Sequence, residues 1–290
     1  MVNSERLRGR VVISSGIGPS LCKGTDPAAI GSVTSAQFNQ GPIVLDQSAV
    51  WLPYCGAAPV PGELLARWNL DPLLIAALLF GTAVFLKFGP TTSAQRRYFL
   101  TAIALLALLL VSPFCALTSA LFSARAVHHL ALTAVVAPLL AAALPAKRVP
   151  GGLALWTGLH TATFWIWHAP PVYEAALSNE AVYWLMQASL LLTALALWRA
   201  VRHASLPAGI AALLATMVQM GLLGALLTFT GTPLYAPHAL GPLAWGLTPL
   251  EDQQLAGLIM WAPGAGIYLA AALALASRWF ARERRASLAT

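Results

Sequence analysis

Four histidines, an aspartate and a methionine stand out because of where they lie. His128 and His129 fall in SARAVHHLALTAVVAPLL, His160 and His168 in LHTATFWIWHAP, and Asp252 and Met260 in TPLEDQQLAGLIMWAPG. Each lies inside, or at the border of, a long apolar run. An ionisable group there is expensive to bury and asks for a partner or a function. Imidazole with thioether is a ligand set suited to copper, above all Cu(I). Simpler roles stand beside that one. A buried histidine often only bridges helices by hydrogen bonds, a methionine in an apolar helix packs, and Asp252 sits in a Thr/Pro/acid run that starts helices.

Spacing sharpens the metal reading. If one run enters the membrane near Phe122, the next leaves near His168 and the last enters near Gln253, then His129, His160 and Met260 all lie roughly 10–12 Å deep at 1.5 Å per residue. His168 and Asp252 then sit above them, at the mouth. His160 and His168 are eight apart and fall within about 80° of each other on a helix, so both can face one cavity. In the sixth run Met217 and Met220 share a face, though deeper. The expected metal ligands are thus His128, His129, His160, His168, Asp252 and Met260. Cys55 and Cys115 either add thiolates or pair with each other in an oxidising compartment. With Cys22, the three cysteines are too few for a disulfide framework. Arg125, one turn before His129, is expected to snorkel or to pair with a loop.

The elements that must carry these residues are membrane helices. Apolar residues make up 58% of the 290, charged residues only 9%, and mean hydropathy is +0.72. A soluble domain carries roughly 25% charged residues, so this chain cannot coat a water-facing surface. Seven apolar stretches lie at about 72–88, 98–113, 122–144, 151–168, 181–198, 207–230 and 254–277, against the ~20 residues needed to cross a bilayer. Continuous rather than alternating apolarity predicts helices and excludes an outer-membrane barrel. The expected fold is an all-α, polytopic bundle of seven transmembrane helices.

The net charge of +7 could suggest nucleic acid, but its distribution predicts topology instead. Eleven of the seventeen basic residues lie in four regions: Lys87 to Arg97, Lys147 with Arg148, Arg199 with Arg202, and Arg278 to Arg285. The three alternate connections hold no Lys or Arg, yet contain Glu174, Glu180, Glu251 and Asp252. The positive-inside rule then puts the N-terminus outside and the C-terminus in the cytoplasm. Acidic outer loops would also attract cations. Residues 1–50 read as an extramembrane, disordered segment with no apolar core of a signal peptide, 51–280 as the membrane domain, and 281–290 as a basic cytoplasmic tail. Trp51 and Trp68 suit the interface. No nucleophilic triad, phosphate loop or dinucleotide fingerprint is visible, so no catalysis is expected. Glycine pairs such as those in GAGIYLAAALALA read as helix contacts.

The blocks SPFCALTSALFSARAVHHLALTAVVAPLL, LHTATFWIWHAPPVYEAAL, GTPLYAP and LTPLEDQQLAGLIMWAPG resemble the multi-span, CtaG-type cytochrome c oxidase assembly family, over about residues 50–280. The resemblance implies a factor that matures a haem–copper terminal oxidase in the bacterial cytoplasmic membrane. It would assist copper delivery or stabilise nascent oxidase subunits, with those subunits and the lipid bilayer as partners and no nucleic acid. It marks His129, His160, His168, Trp167, Asp252, Gln253, Gln254 and Trp261. It also implies departures, because relatives carry histidine where Arg125, Tyr183 and Gln187 stand here, and His128 reads as a compensating addition. Two facing histidines at one depth also leave open a haem- or quinone-binding redox protein, and a purely structural chaperone is open as well.

Overall fold

A computed structural model describes residues 53–89 and 92–287. The expectations for residues 1–50, for Cys22 and for Trp51 lie outside the described residues. Helices α1 (Pro72–Phe88), α2 (Ser93–Leu110) and α3 (Pro113–Ala120) come first. Then follow α4 (Phe122–Ala143), α5 (Gly152–His168), α6 (Pro170–Ser178), α7 (Glu180–His203), α8 (Leu206–Phe229) and α9 (Pro249–Arg285). No strand occurs among the described residues. Five helices (α2, α4, α7, α8 and α9) are long and apolar enough to cross a membrane. The runs read as the first and fourth spans form α1 and α5, each 17 residues, at the short limit for a crossing. The expected tail from 281 continues as helix through Arg285.

Local sequence explains most of the helix starts. Asp71 accepts from the Leu73 amide (2.8 Å) ahead of Pro72, and Ser112 accepts from Phe114 (3.2 Å) ahead of Pro113. Asn179 accepts from Val182 at 3.1 Å to open α7. At α9, Thr248 and Glu251 form a reciprocal capping box. The Asp71 carboxyl is held below its ordinary range, chiefly by the hydrogen bond it accepts from Tyr54.

Two helices are broken by short π turns, Leu132–Val136 in α4 and Met260–Gly264 in α9. Proline is the physical cause: Pro138 follows the first turn and Pro263 lies in the second. Proline lacks an N–H and crowds the preceding turn, and a wider turn absorbs both defects. In α4 the Ala137 amide bonds Leu132 instead of Thr133. The freed Thr133 carbonyl accepts from Trp198 Nε1 of α7 at 3.0 Å.

The connections sort to two ends of the bundle. At one end Arg199 donates to the carbonyls of Pro145 (3.1 Å) and Lys147 (2.9 Å), and Arg202 donates to that of Ala141. Gln95 lines a cavity there with Pro145, and Arg202 lines another with Arg278 and Arg282. All four basic regions therefore meet at this end. At the opposite end Cys55 is disulfide-bonded to Cys115, which settles their alternatives as a pair. Asn69 donates to the Leu110 carbonyl (3.0 Å) and Trp245 to that of Pro59 (3.1 Å), tying the chain before α1 over this disulfide end.

Helices α8 and α9 cross at Gly224 and Gly257. A Cβ on Gly257 would stand 2.5 Å from the Gly224 carbonyl oxygen, so only glycine lets the backbones meet. Gly266, by contrast, faces open space. Large apolar side chains such as Leu73, Phe80, Leu192 and Phe229 are exposed around the bundle, as a lipid-facing surface requires.

Candidate functional site

The disulfide end encloses a buried polar core. Helix α4 contributes Arg125, His128 and His129, each at most 1% exposed. The expectation that Arg125 snorkels or joins a loop is overturned. Thr118 of α3 and Tyr183 of α7, both against Cys55 of the disulfide, enclose the side chain. Its Nη2 donates to the Thr118 carbonyl (3.2 Å) and its guanidinium lies 5.5 Å from the Tyr183 ring centre, a cation–π contact. Its Nε and Nη1 find no partner among the described residues.

His129 stands beside two other imidazoles. Its ring centre is 5.8 Å from that of His128 and 5.8 Å from that of His168. Neither of its ring nitrogens has a hydrogen-bond partner among the described residues. In α5, His168 Nδ1 lies 2.7 Å from the Phe164 carbonyl. A carbonyl can only accept, so Nδ1 carries the proton and Nε2 presents a bare lone pair. His128 Nε2 takes the amide of Gln187 at 2.6 Å, which leaves its Nδ1 unpartnered. Tyr183 and Gln187, one turn apart on α7, complete this wall, the Gln187 amide also donating to Tyr183 at 3.1 Å.

His160 faces a different set. Its Nδ1 is 3.2 Å from Thr193 Oγ1, whose own proton goes to the Ser189 carbonyl at 2.8 Å. The threonine oxygen therefore accepts, and His160 Nε2 is bare as well. His160 lines a cavity of about 10 Å³ with Gln219 and Met220, enough for one small particle. Two turns of α5 separate His160 from His168, so His129 meets the upper histidine rather than the one expected at its level. Met260 is buried in the π turn of α9.

Asp252 is at no open mouth. It is fully buried, and its oxygens accept from the amides of Phe122 (2.6 Å) and Ser123 (3.1 Å) and from the Ser123 hydroxyl. It caps α4 from another helix, while its own helix is capped by Thr248. Among the described residues, no three His, Cys, Asp or Glu side chains converge as a metal site.

The motif residues Gln253 and Trp167 bridge elements. Gln253 Oε1 accepts from the Leu234 amide at 2.7 Å, and Trp167 Nε1 donates to Ser189 of α7 at 2.8 Å. Sequence reasoning singled out neither His238 nor the pairing of Met220 with His160. His238 lies in a loop and carries no helical register to place it. Its Nδ1 meets the Ala120 carbonyl (3.4 Å) and its Nε2 takes the Tyr173 hydroxyl (2.7 Å). Burial, reinforced by the Arg125 charge, lowers its pKa to about 3, so the ring is neutral. Burial pushes the Tyr173 hydroxyl up.

No curated protein matches the chain, and no solved structure does. Residues 152–282 match the model of the Caa3_CtaG family, described as cytochrome c oxidase caa3 assembly factor. The matched segment runs from the start of α5 into the last turns of α9. It includes His160, His168, Asp252 and Met260 and excludes His128, His129 and the disulfide. Over residues 152–282, this chain is similar to the cytochrome c oxidase caa3 assembly factors.

Proposed function

We propose that the protein is a membrane assembly factor for a haem–copper terminal oxidase, and that it handles copper as cargo at the outer face of the bacterial cytoplasmic membrane. In this reading the seven helices α1, α2, α4, α5, α7, α8 and α9 cross the bilayer with the N-terminus outside. The gathering of the four basic regions at one end supports that orientation. The disulfide at the other end supports it too, because such bonds persist on the oxidising side.

The observation that carries the copper step is the His129–His168 pair. Two imidazoles from different helices touch, one with both nitrogens unpartnered and the other held by a carbonyl in the tautomer that leaves Nε2 bare. Metal-binding histidines are commonly oriented by such a carbonyl. A soft two-nitrogen site holds Cu(I) yet releases it, as a carrier must. His160 beside Met220 offers a second imidazole–thioether pair deeper in the bundle. His128 adds a third imidazole against His129. Asp252 then acts on the site by fixing α4.

Titration of the purified, detergent-solubilised protein against a chromophoric Cu(I) chelator tests the step. Wild type should withdraw Cu(I) from the chelator, and His129→Ala combined with His168→Ala should not, while His238→Ala retains binding. Binding by the double variant equal to wild type would sink the copper role. A second reading has its own support. His128, His160 and His238 each bridge separate elements, as a scaffold's would. It predicts oxidase loss on gene deletion that added copper does not rescue, and co-purification with an oxidase subunit that survives copper chelation.

A further inference from the structure

The basic end carries a cleft that the copper reading does not use. It lies where α7, α8 and α9 come together, has a volume of about 660 Å³, and is lined at its rim by Arg202, Arg278 and Arg282. Deeper in, Trp198, Leu213 and Leu275 form an apolar wall. Arg278 and Arg282 are one turn apart on a single face of α9, and neither makes a hydrogen bond or ion pair among the described residues. The neighbouring acid, Glu283, faces away and takes the Trp279 indole at 3.3 Å. Among the described residues, no acid lines the cleft.

We propose that this cleft binds one anionic phospholipid. Its phosphate headgroup meets the Arg278 and Arg282 guanidiniums at the rim, with Arg202 behind them, and its acyl chains follow Leu213 and Leu275 into the bundle. Guanidiniums suit phosphate because their fork donates two parallel hydrogen bonds. A free phosphate shares that chemistry, but it would leave the apolar wall uncovered. The cleft sits where helix ends meet the headgroup layer, and basic pockets between helices on that side are the usual sites for acidic lipids. The inference rests on the orientation proposed above, which puts this end in the cytoplasmic leaflet. It stands apart from copper handling, and either can fail alone.

The test uses the full chain in nanodiscs of phosphatidylcholine doped with phosphatidylglycerol or cardiolipin, with native mass spectrometry reading the lipid retained after gentle release. Wild type should keep one anionic lipid. Arg278→Gln with Arg282→Gln should lower its retention about tenfold or more. Arg284→Gln with Arg285→Gln, an equal loss of charge further along α9, should leave it unchanged. Arg278→Lys with Arg282→Lys keeps charge but loses the fork, and should fall between. Equal losses from both glutamine pairs would reduce the effect to bulk attraction and overturn the site. So would protection by inorganic phosphate, without lipid, as strong as that given by phosphatidylglycerol. Melting of the glutamine pairs in pure phosphatidylcholine, unchanged from wild type, guards against misfolding as the cause.

Discussion

Helices α4 and α9 are built alike and stabilised differently. Both start at the disulfide end, and both are broken by a proline-linked π turn, at Leu132–Val136 and Met260–Gly264. Helix α9 opens on its own capping box, with Thr248 and Glu251 exchanging bonds on the exposed side. Helix α4 opens on Leu121, which has no side chain able to cap, and borrows Asp252 from α9. One helix end is therefore a local affair and the other a tertiary contract. The borrowed cap falls on the helix that carries Arg125, His128 and His129, so the position of the polar core depends on the docking of α9.

The sharpest way to break this comparison is Asp252→Ala. It orphans two buried amides and a hydroxyl at once, where a lost cap costs about 1–2 kcal/mol and each unsatisfied buried donor about 1–3. A loss of about 3 kcal/mol is expected, read as a lower thermal midpoint in detergent. Asp252→Asn, which can still accept, should recover part of it. An unchanged midpoint for Asp252→Ala would mean that α4 is held by packing alone.

What was legible in the sequence follows the same division. The apolar helices, a helix start in TPLED and the basic regions rest on period, local caps and charge, all of which act within a few residues. Helix α9's first turn could be read from TPLED because donor and acceptor are three apart. Asp252's true partner is Phe122, 130 residues away, and no spacing announces it. Arg125 was misplaced for a related reason. Depth along a helix suggested that it could reach water, but Thr118 and Tyr183, both against Cys55, enclose it, and Tyr183 and Cys55 act across the fold. Register arithmetic put His160 and His168 on one face and depth arithmetic set His129 level with His160, yet arithmetic on separate helices cannot fix their relative height. That needs the packing of α4 on α5 and α7.

A second probe acts on the α4 side only. His238 donates Nδ1–H to the Ala120 carbonyl just before α4 and accepts from Tyr173. Its pKa is lowered to about 3, so the folded state resists the proton that the unfolded chain accepts near 6.5. The stability it preserves is full above about pH 6.5 and is lost progressively as pH falls from there towards about 3. Protonation would force Nε2 to donate, break the Tyr173 bond and set a second positive charge near Arg125. Between pH 7.5 and about 5.5 the loss should be about 1 kcal/mol. His238→Gln should flatten that part of the profile, and a slope unchanged in the variant would assign it elsewhere.

The smallest effect completes the contrast. Thr248→Ala removes the hydroxyl that accepts from the Glu251 amide at 3.2 Å, but the first turn of α9 faces water and Glu251 can still reach the Thr248 backbone amide, 2.7 Å away. A solvated amide finds water in place of its cap, so the cost should be only about 0.5 kcal/mol. Copper binding should not change, because the Thr248 hydroxyl bonds only Glu251 of its own first turn. The ratio between Asp252→Ala and Thr248→Ala, about sixfold on these magnitudes, measures how far α4 depends on its neighbour. Equal losses would mean that the two helix starts are equivalent, and that the buried clasp adds nothing to what an ordinary cap supplies.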